Sequence, residues 1–345
     1  MKTAVVILNW NGVNFLKEFI PILLTNTPSE YGQIFIADNA STDKSKEYFE
    51  DLVAKLKQDQ PIGYANNQKK AAIPIWIPFQ ENHGYAEGYN QAFKHIKNQV
   101  FDYYLLLNSD VKVTPNWLKF LVEFMDSHNE VGICCPKVLS YKHPEFFEYA
   151  GAAGGLIDRY GYPYCRGRIL SAVEKDHGQY DKPSPIFWAS GTSLMIRQEL
   201  WYQLGGLEKA FFAHMEEIDL CWRALLDSNK IYVVPDSIIY HVGGGALPYS
   251  SPRKLYLNFR NNLLLLYRNI NPRTRGFLIF ERLVLDGVIG FIYMCTGKWS
   301  SLKAIINAHL DFFKMRKQVK IHHAPGTKFI PRSKKILFCL FIKKH

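Results

Sequence analysis

Acidic and amide side chains close the apolar runs of this 345-residue sequence, at spacings that suit a charged, oxygen-rich ligand. Asn9 ends the run 4–8, Asp38 ends 34–37, Asn82 follows 73–77, and Asn108-Ser109-Asp110 follows 103–107. A carboxylate at a strand end can ligate Mg²⁺ or Mn²⁺ while diphosphate oxygens fill the cation's other positions, which would neutralise a departing diphosphate. Taken singly, each of these residues reads as turn punctuation. Together they point to one crevice, because ligands of open parallel sheets bind outside the carboxyl ends of the strands. Farther along, Glu216-Glu217-Ile218-Asp219 heads a helical pattern and His241 follows another apolar run. A carboxylate there can take the proton of an attacking hydroxyl, or the cluster is an acidic first turn favoured by the helix dipole. A lone histidine after an apolar strand is more often structural, although a neutral imidazole is able to ligate Mn²⁺ or Mg²⁺. Trp188 either stacks on a sugar face or is buried, and His214 has no assigned part.

These residues need a scaffold, and short apolar runs alternating with helical patterns predict an α/β fold with an open, mostly parallel sheet and flanking helices. Ser41 and Thr42 are expected to cap the helix marked by Phe49, Leu52, Val53 and Leu56. Pro74 and Pro78 assign the third run to a sheet edge. Tyr89, Ala92, Phe93 and Ile96 mark the helix before the fourth run, and 151–191 reads as loops with short strands. No GxGxxG or P-loop follows an early strand, which argues against a dehydrogenase or a kinase-like ATPase. Gly243-Gly244-Gly245 reads as a flexible loop.

Six cysteines at irregular spacings imply reduced thiols, with Cys134 and Cys135 in a buried strand. Only five apolar residues separate Thr3 from Asn9, too few for a signal peptide. The most apolar stretch, 276–294, is interrupted by Glu281, Arg282 and Asp286, so no spanning helix is expected. Net charge is +11, but residues 251–345 hold 19 Lys/Arg against 3 Asp/Glu, or +16, leaving −5 for the first 250. Basic residues among Leu, Ile and Phe favour an anionic membrane surface over nucleic acid. The competing reading is a helical hairpin packed on the domain, or a dimer contact. The expected organisation is a catalytic domain over 1–250, with a nucleotide-binding half at 1–115 and an acceptor half at 116–250. A basic amphipathic helical extension over 251–345 follows. Location is expected to be cytoplasmic, peripheral at the inner face of the cell membrane, and the oligomeric state is left open.

The order of these motifs over roughly residues 3–269 resembles the family 2 glycosyltransferases, particularly the rhamnosyltransferase-like branch with the GT-A fold. The resemblance implies an inverting enzyme that moves a sugar from a nucleotide-sugar, dTDP-rhamnose being one candidate, to a glycan or lipid-linked acceptor in cell-surface polysaccharide synthesis. It implies that Leu8, Asn9 and Asp38 lie against the nucleoside and that Asn82, Gly84 and Tyr85 lie beside the donor. Asn108-Ser109-Asp110 then matches the DxD motif, with Asn in the first place, so Asp110 carries most of the ligation and His241 completes the metal site. Ser190-Gly191-Thr192 is similar to the segment beneath the sugar. Glu217 aligns with the catalytic base, normally Asp, and Glu216 is the second candidate. The runner-up is a nucleotidyltransferase, for which the glycine-rich basic loop after the first strand is missing. A non-catalytic carbohydrate- or membrane-binding protein on a degenerate scaffold is the reading that Asn108 and Glu217 keep open.

Overall fold

The computed structural model describes residues 2–58, 73–169, 172–243 and 251–322. Gly244, Gly245 and the closing basic run 334–344 lie outside the described residues. Strands β1 (Thr3–Asn9), β2 (Gly32–Asp38), β3 (Ile75–Pro78) and β4 (Tyr103–Asn108) form at the four apolar runs, separated by helices α1 (Val13–Asn26), α2 (Ser45–Gln58) and α3 (Gly84–His95). The chain continues through β5 (Val111–Val113), α4 (Trp117–Ser127) and β6 (Val131–Ser140). Short strands β7 (Gly155–Ile157), β8 (Pro163–Cys165), β9 (Arg168–Ile169), β10 (Ala172–Val173) and β11 (Ser184–Pro185) follow. Next come β12 (Ser193–Arg197), α5 (Gln198–Leu204), α6 (Glu216–Leu226) and β13 (Lys230–His241), and then α7 (Pro252–Asn269), α8 (Pro272–Cys295) and α9 (Trp299–Met315).

Among the described residues the main sheet runs β11-β13-β6-β12-β4-β1-β2-β3, with β5 paired on β13. β1 is parallel to β2 and β4, β2 to β3, and β6 to β13. The interior exception is β12, antiparallel to β4 and β6. The middles of β1, β2 and β4 are continuous apolar runs because both faces are covered. Ala4, Val6, Phe35 and Leu106 face α3, α6 and α7, while Val5, Ile7, Ile36 and Leu105 face α1 and α4. β3 lies at the sheet edge, as its prolines require. β7 to β10 make a separate four-stranded sheet within the stretch read as loops with short strands. Cys134 and Cys135 are buried free thiols in β6.

The helix-cap expectation is corrected. Asp43, not Ser41 or Thr42, accepts from the amide at the start of α2, through Ser45 N–H at 3.0 Å, and also from Val13 N–H at 2.9 Å. Ser41 instead donates its hydroxyl to Asp38 at 2.6 Å, which ties the β2 turn to its strand. No helix among the described residues is long and apolar enough to cross a membrane.

Helix α7 belongs to the larger core: Leu263, Leu264, Leu265 and Leu266 are all buried within it. Its end is fixed by charge. Asp219 of α6, fully buried, accepts from Arg223 Nε at 2.8 Å, Arg268 Nε at 2.9 Å and Asn269 Nδ2 at 2.8 Å. The two guanidinium groups outweigh burial and hold the Asp219 carboxyl down at about 2. The ionised form therefore stabilises the fold above the ordinary carboxylate range, and this contribution is lost as pH falls from about 4 toward 2. Ionisation alone accounts for about 2 kcal/mol. Asp219→Asn also leaves Arg268 and Arg223 short of their anion, so a loss of ~3–5 kcal/mol at pH 7 is expected. The gap from the parent should narrow in chemical denaturation near pH 3, and an unchanged gap would show that charge is not what Asp219 contributes.

Candidate active site

The parallel register sets Asn9 beside Asp38 and Leu8 beside Asn108 at the carboxyl ends of β1, β2 and β4. Asn9 Nδ2 donates to Asp38 Oδ1 at 2.9 Å and to Ser41 Oγ at 3.1 Å, which leaves its buried carbonyl oxygen without a partner. Leu8 lies over Gly88 so closely that a Cβ there would sit 2.8 Å from it. Asn82 is committed locally. Its carbonyl oxygen accepts from Gly84 N–H at 2.8 Å and from Asn39 Nδ2 at 3.0 Å, and Asn39 Oδ1 accepts from His83 N–H at 2.8 Å. Asn39 thus clamps the entry to α3, and nothing in its sequence context but its place after Asp38 signals this.

Gly84 opens α3 at φ +74°, with the Phe212 ring where a side chain would stand. Tyr85 donates its hydroxyl to the Gly191 carbonyl at 2.6 Å. Burial, then its neighbour Tyr89 and the charges of Glu216 and Glu217, push the Tyr85 phenol well up, so it stays protonated beside the acidic pair. Ser190 donates to the Ala150 carbonyl. Trp188 takes the buried reading: its ring lies on Gly155 and its indole N–H donates to Leu156 O at 2.9 Å, so it is not free to stack on a sugar.

Asn108 and Ser109 are half-buried, and Asp110 is buried. β5 pairs with β13 so that Val111 stands opposite His241, bringing His241 Nε2 to 3.2 Å from Asp110 Oδ1. On the other side of the imidazole, Nδ1 is 3.3 Å from Glu148 Oε1. Glu148 is itself buried and accepts from Ala150 N–H. Burial alone would favour neutral imidazole, but the two carboxylates win and raise His241 to about 10. Glu148 was invisible in the sequence, being one carboxylate in an aromatic stretch.

Asp110 and His241 fit one divalent cation. Two donors each ~2.1 Å from a metal at a right angle lie roughly 3 Å apart, close to the observed 3.2 Å. Glu148 on the far nitrogen is the kind of carboxylate that orients a ligating histidine. Among the described residues no three His, Cys, Asp or Glu converge on one metal position, so diphosphate or water oxygens would complete the shell.

The acidic pair sits at the head of α6, after a loop in which Phe212, His214 and Met215 all have positive φ. Asn261 of α7 holds that loop by donating to the carbonyls of Phe211 at 2.9 Å, Ala213 at 2.9 Å and His214 at 2.7 Å. Arg260 adds bonds to Ala210 O and Phe211 O. Glu216 is buried, and burial with the charge of Glu217 raises it well above the carboxylate range. Glu217 is half-buried and raised by burial to about 7. Glu216, Glu217 and His214 each keep a buried polar atom with no partner, and burial lowers His214 to about 4.

A family model described as glycosyl transferase family 2 matches residues 4–204. The low-salt glycan biosynthesis hexosyltransferase Agl10 of Haloferax volcanii is 24% identical, over 64% of this chain and 72% of its own length. The dTDP-rhamnosyl transferase RfbF of Shigella flexneri is 24% identical over 55% of this chain, which spans only 62% of that relative's length. The mannosyltransferase PcManGT from Pyrobaculum calidifontis, solved with GDP-Man and Mn²⁺, superposes with a TM-score of 0.54 at 12% identity. That match covers 90% of this chain and 87% of the other, and it shows a shared fold.

The carboxylates flanking His241 make its titration a direct readout of the geometry. In the metal-free chain the imidazole should stay doubly protonated at pH 8, and Glu148→Gln should make it titrate at clearly lower pH, because one of its two anions is gone. Nitrogen-15 NMR of the ring measures both. A parent imidazole already neutral at pH 7 would mean that the carboxylates do not reach it.

Proposed function

The chain belongs to glycosyl transferase family 2, and from that membership we propose an inverting transfer of a sugar from a nucleoside-diphosphate donor to a hydroxyl of a glycan or lipid-linked acceptor. The observation that carries this reading is the Asp110–His241 pair at the β4 end, together with a carboxylate at the head of α6 that burial brings to about 7. Glycan synthesis is supported by the relative named for it, and a dTDP-rhamnose donor by the relative named a dTDP-rhamnosyl transferase. A divalent cation, Mg²⁺ or Mn²⁺, is supported by the donor set and by the Mn²⁺ of the solved neighbour. We assign peripheral work at the inner face of a cell membrane from the +16 charge of residues 251–345.

In this mechanism Glu217 takes the acceptor hydroxyl's proton as the hydroxyl oxygen bonds to the anomeric carbon. The bond from that carbon to the diphosphate breaks, and the nucleoside diphosphate departs on the opposite face. A cation held by Asp110 and His241 would offset the charge of the leaving diphosphate. Glu216 stays protonated, so it places no second negative charge beside Glu217. Asn9, Asp38 and Leu8 bound the nucleoside end, and Tyr85 fixes Gly191 beneath the sugar.

The base predicts a pH profile. Glu217 must be ionised, so kcat/KM should rise with pH to a plateau above about 7. Glu217→Gln should remove that limb and lower kcat by ~10²–10⁴-fold, with donor affinity nearly unchanged. Glu216→Gln should keep most of the rate, since an amide replaces an acid that is already neutral. The reverse pattern would move the base by one residue, and a product that retains the donor's anomeric configuration would discard single displacement.

The metal assignment has its own experiment. Asp110→Asn and His241→Ala should each weaken Mn²⁺-dependent binding of nucleoside diphosphate, read by calorimetry with and without the ion. Normal metal dependence in both variants would put the cation elsewhere. Release of free nucleoside diphosphate from candidate nucleotide-sugars separates a transferase from a binding protein on the same scaffold.

A further inference from the structure

Helices α8 and α9 form an antiparallel hairpin laid against α7, and each turns a large apolar stripe away from the body. On α8 the exposed Phe277, Phe280, Val284, Val288 and Phe291 recur at intervals of three and four residues, so they fall on one face. The stripe is long: Phe277 and Phe291 are 14 positions apart, roughly 21 Å along the axis. The opposite face, with Ile279, Arg282, Asp286 and Gly290, is buried. On α9, Trp299, Ile306, Leu310 and Phe313 are exposed, while Ala304, Ile305, Ala308 and Phe312 pack inward. Phe277 is 69% exposed and Trp299 is 63% exposed, so each helix presents a row of large exposed apolar side chains of the kind that marks a protein or membrane contact.

Charge decides between the partners. The three acids of 270–322 are all engaged: Glu281 with Arg159 at 3.2 Å, Asp286 with Arg282 at 3.2 Å, and Asp311 with the Tyr256 hydroxyl at 2.7 Å. Arg273, Lys298, Lys303, Lys317 and Lys320 are exposed at the hairpin's ends and flank. A second copy of the chain would bring cations against cations. An anionic lipid surface meets them with opposite charge while its acyl boundary takes the aromatic stripe. We propose that the outward face of the α8–α9 hairpin is the membrane-docking surface of this protein, with a bilayer rich in anionic lipid as its partner. This inference refines the peripheral location given above. It goes beyond the sequence reading by assigning contact to α8 and α9 and excluding α7, whose leucines are in the core.

The hairpin also reaches the small sheet. Arg282 donates to the Tyr160 carbonyl and stacks 3.8 Å from the Tyr162 ring centroid, and Glu281 pairs with Arg159. Tyr160 and Tyr162 belong to the β7–β8 turn, and Trp188 packs on β7 two residues before Ser190. Docking through the outward face leaves the hairpin between the lipid and the small sheet, tying the acceptor half to the surface that would present a lipid-linked acceptor.

The test is sedimentation of the full chain with vesicles of phosphatidylglycerol and phosphatidylcholine, or of phosphatidylcholine alone, at low and high salt. The chain should sediment with the anionic vesicles, release in salt as the cations are screened, and remain largely in the supernatant with phosphatidylcholine. Phe280→Ser with Phe291→Ser should cut partitioning at least tenfold without changing the melting temperature or the stabilisation by nucleoside diphosphate. Lys298→Glu with Lys303→Glu should abolish the preference for the anionic lipid. A parent chain that stays in the supernatant overturns the proposal, as does a serine variant that sediments like the parent. A dimer in analytical ultracentrifugation that the serine substitutions dissociate would also overturn it, identifying the face as a contact between copies. Vesicle binding with no turnover of any donor would sink the transferase reading and leave the docking surface standing.

Discussion

The buried Asp219 carboxylate is the fixed point on which the packing of α6 against α7 depends. It lies one turn into α6, three residues from Glu216, and it is bonded to Arg223 of the same helix and to Arg268 and Asn269 at the end of α7. Arg268 reaches on to Glu208, and Arg223 donates to the carbonyls of Leu204 and Gly206. An ionised group at this depth is costly unless every lone pair is met, and here each charge has a partner of opposite sign. The consequence is geometric. Neither helix can rotate or slide by a residue without stranding a charge, so the head of α6 is held in register against α7.

That register supports a strained loop. Three non-glycine residues with positive φ within residues 212–215 cost of order 1–3 kcal/mol each, and they persist because Asn261 collects three of the loop's carbonyls. The Phe212 carbonyl, turned the other way, accepts from the Tyr85 and Ala86 amides at the start of α3. One short loop therefore joins Gly84 and Tyr85 at the start of α3 to the acidic pair at Glu216 and Glu217. The strain aims Phe212 at Gly84 and leaves Glu217 half-open, which is the arrangement a base needs if a substrate hydroxyl is to reach it.

Local signals carried much of the fold and part of the site. β1, β2 and β4 were readable because both faces are buried and each run is continuous. Asp110, Asn9 and Asp38 were readable because they close those runs. The rest depends on partners far away in the chain. Glu148 meets His241 across 93 positions, and Asn261 meets the loop across about 50, so neither leaves a periodic or spaced trace. Ser41 looked like a helix cap, but its hydroxyl turns back three residues to Asp38 within the β2 turn, and Asp43 takes the helix. Trp188 offered a flat ring suited to a sugar, yet Gly155, lacking a Cβ, lets that ring lie directly on the small sheet. The glycine that admits a side chain is 33 residues from the side chain it admits.

Charge segregation adds an orientation that no single contact supplies. The first 250 residues carry −5, whereas residues 251–345 carry +16. An anionic surface would attract the exposed cations at the hairpin's ends and flank. The bonds of Arg282 to the β7–β8 turn and of Tyr256 to Asp311 tie the hairpin to the small sheet and to α7, so a pull on those cations would be passed to both. Docked as proposed, the hairpin would lie between the lipid and the β7–β8 turn that Arg282 grips, so the surface would act on the small sheet through the helices and not by direct contact.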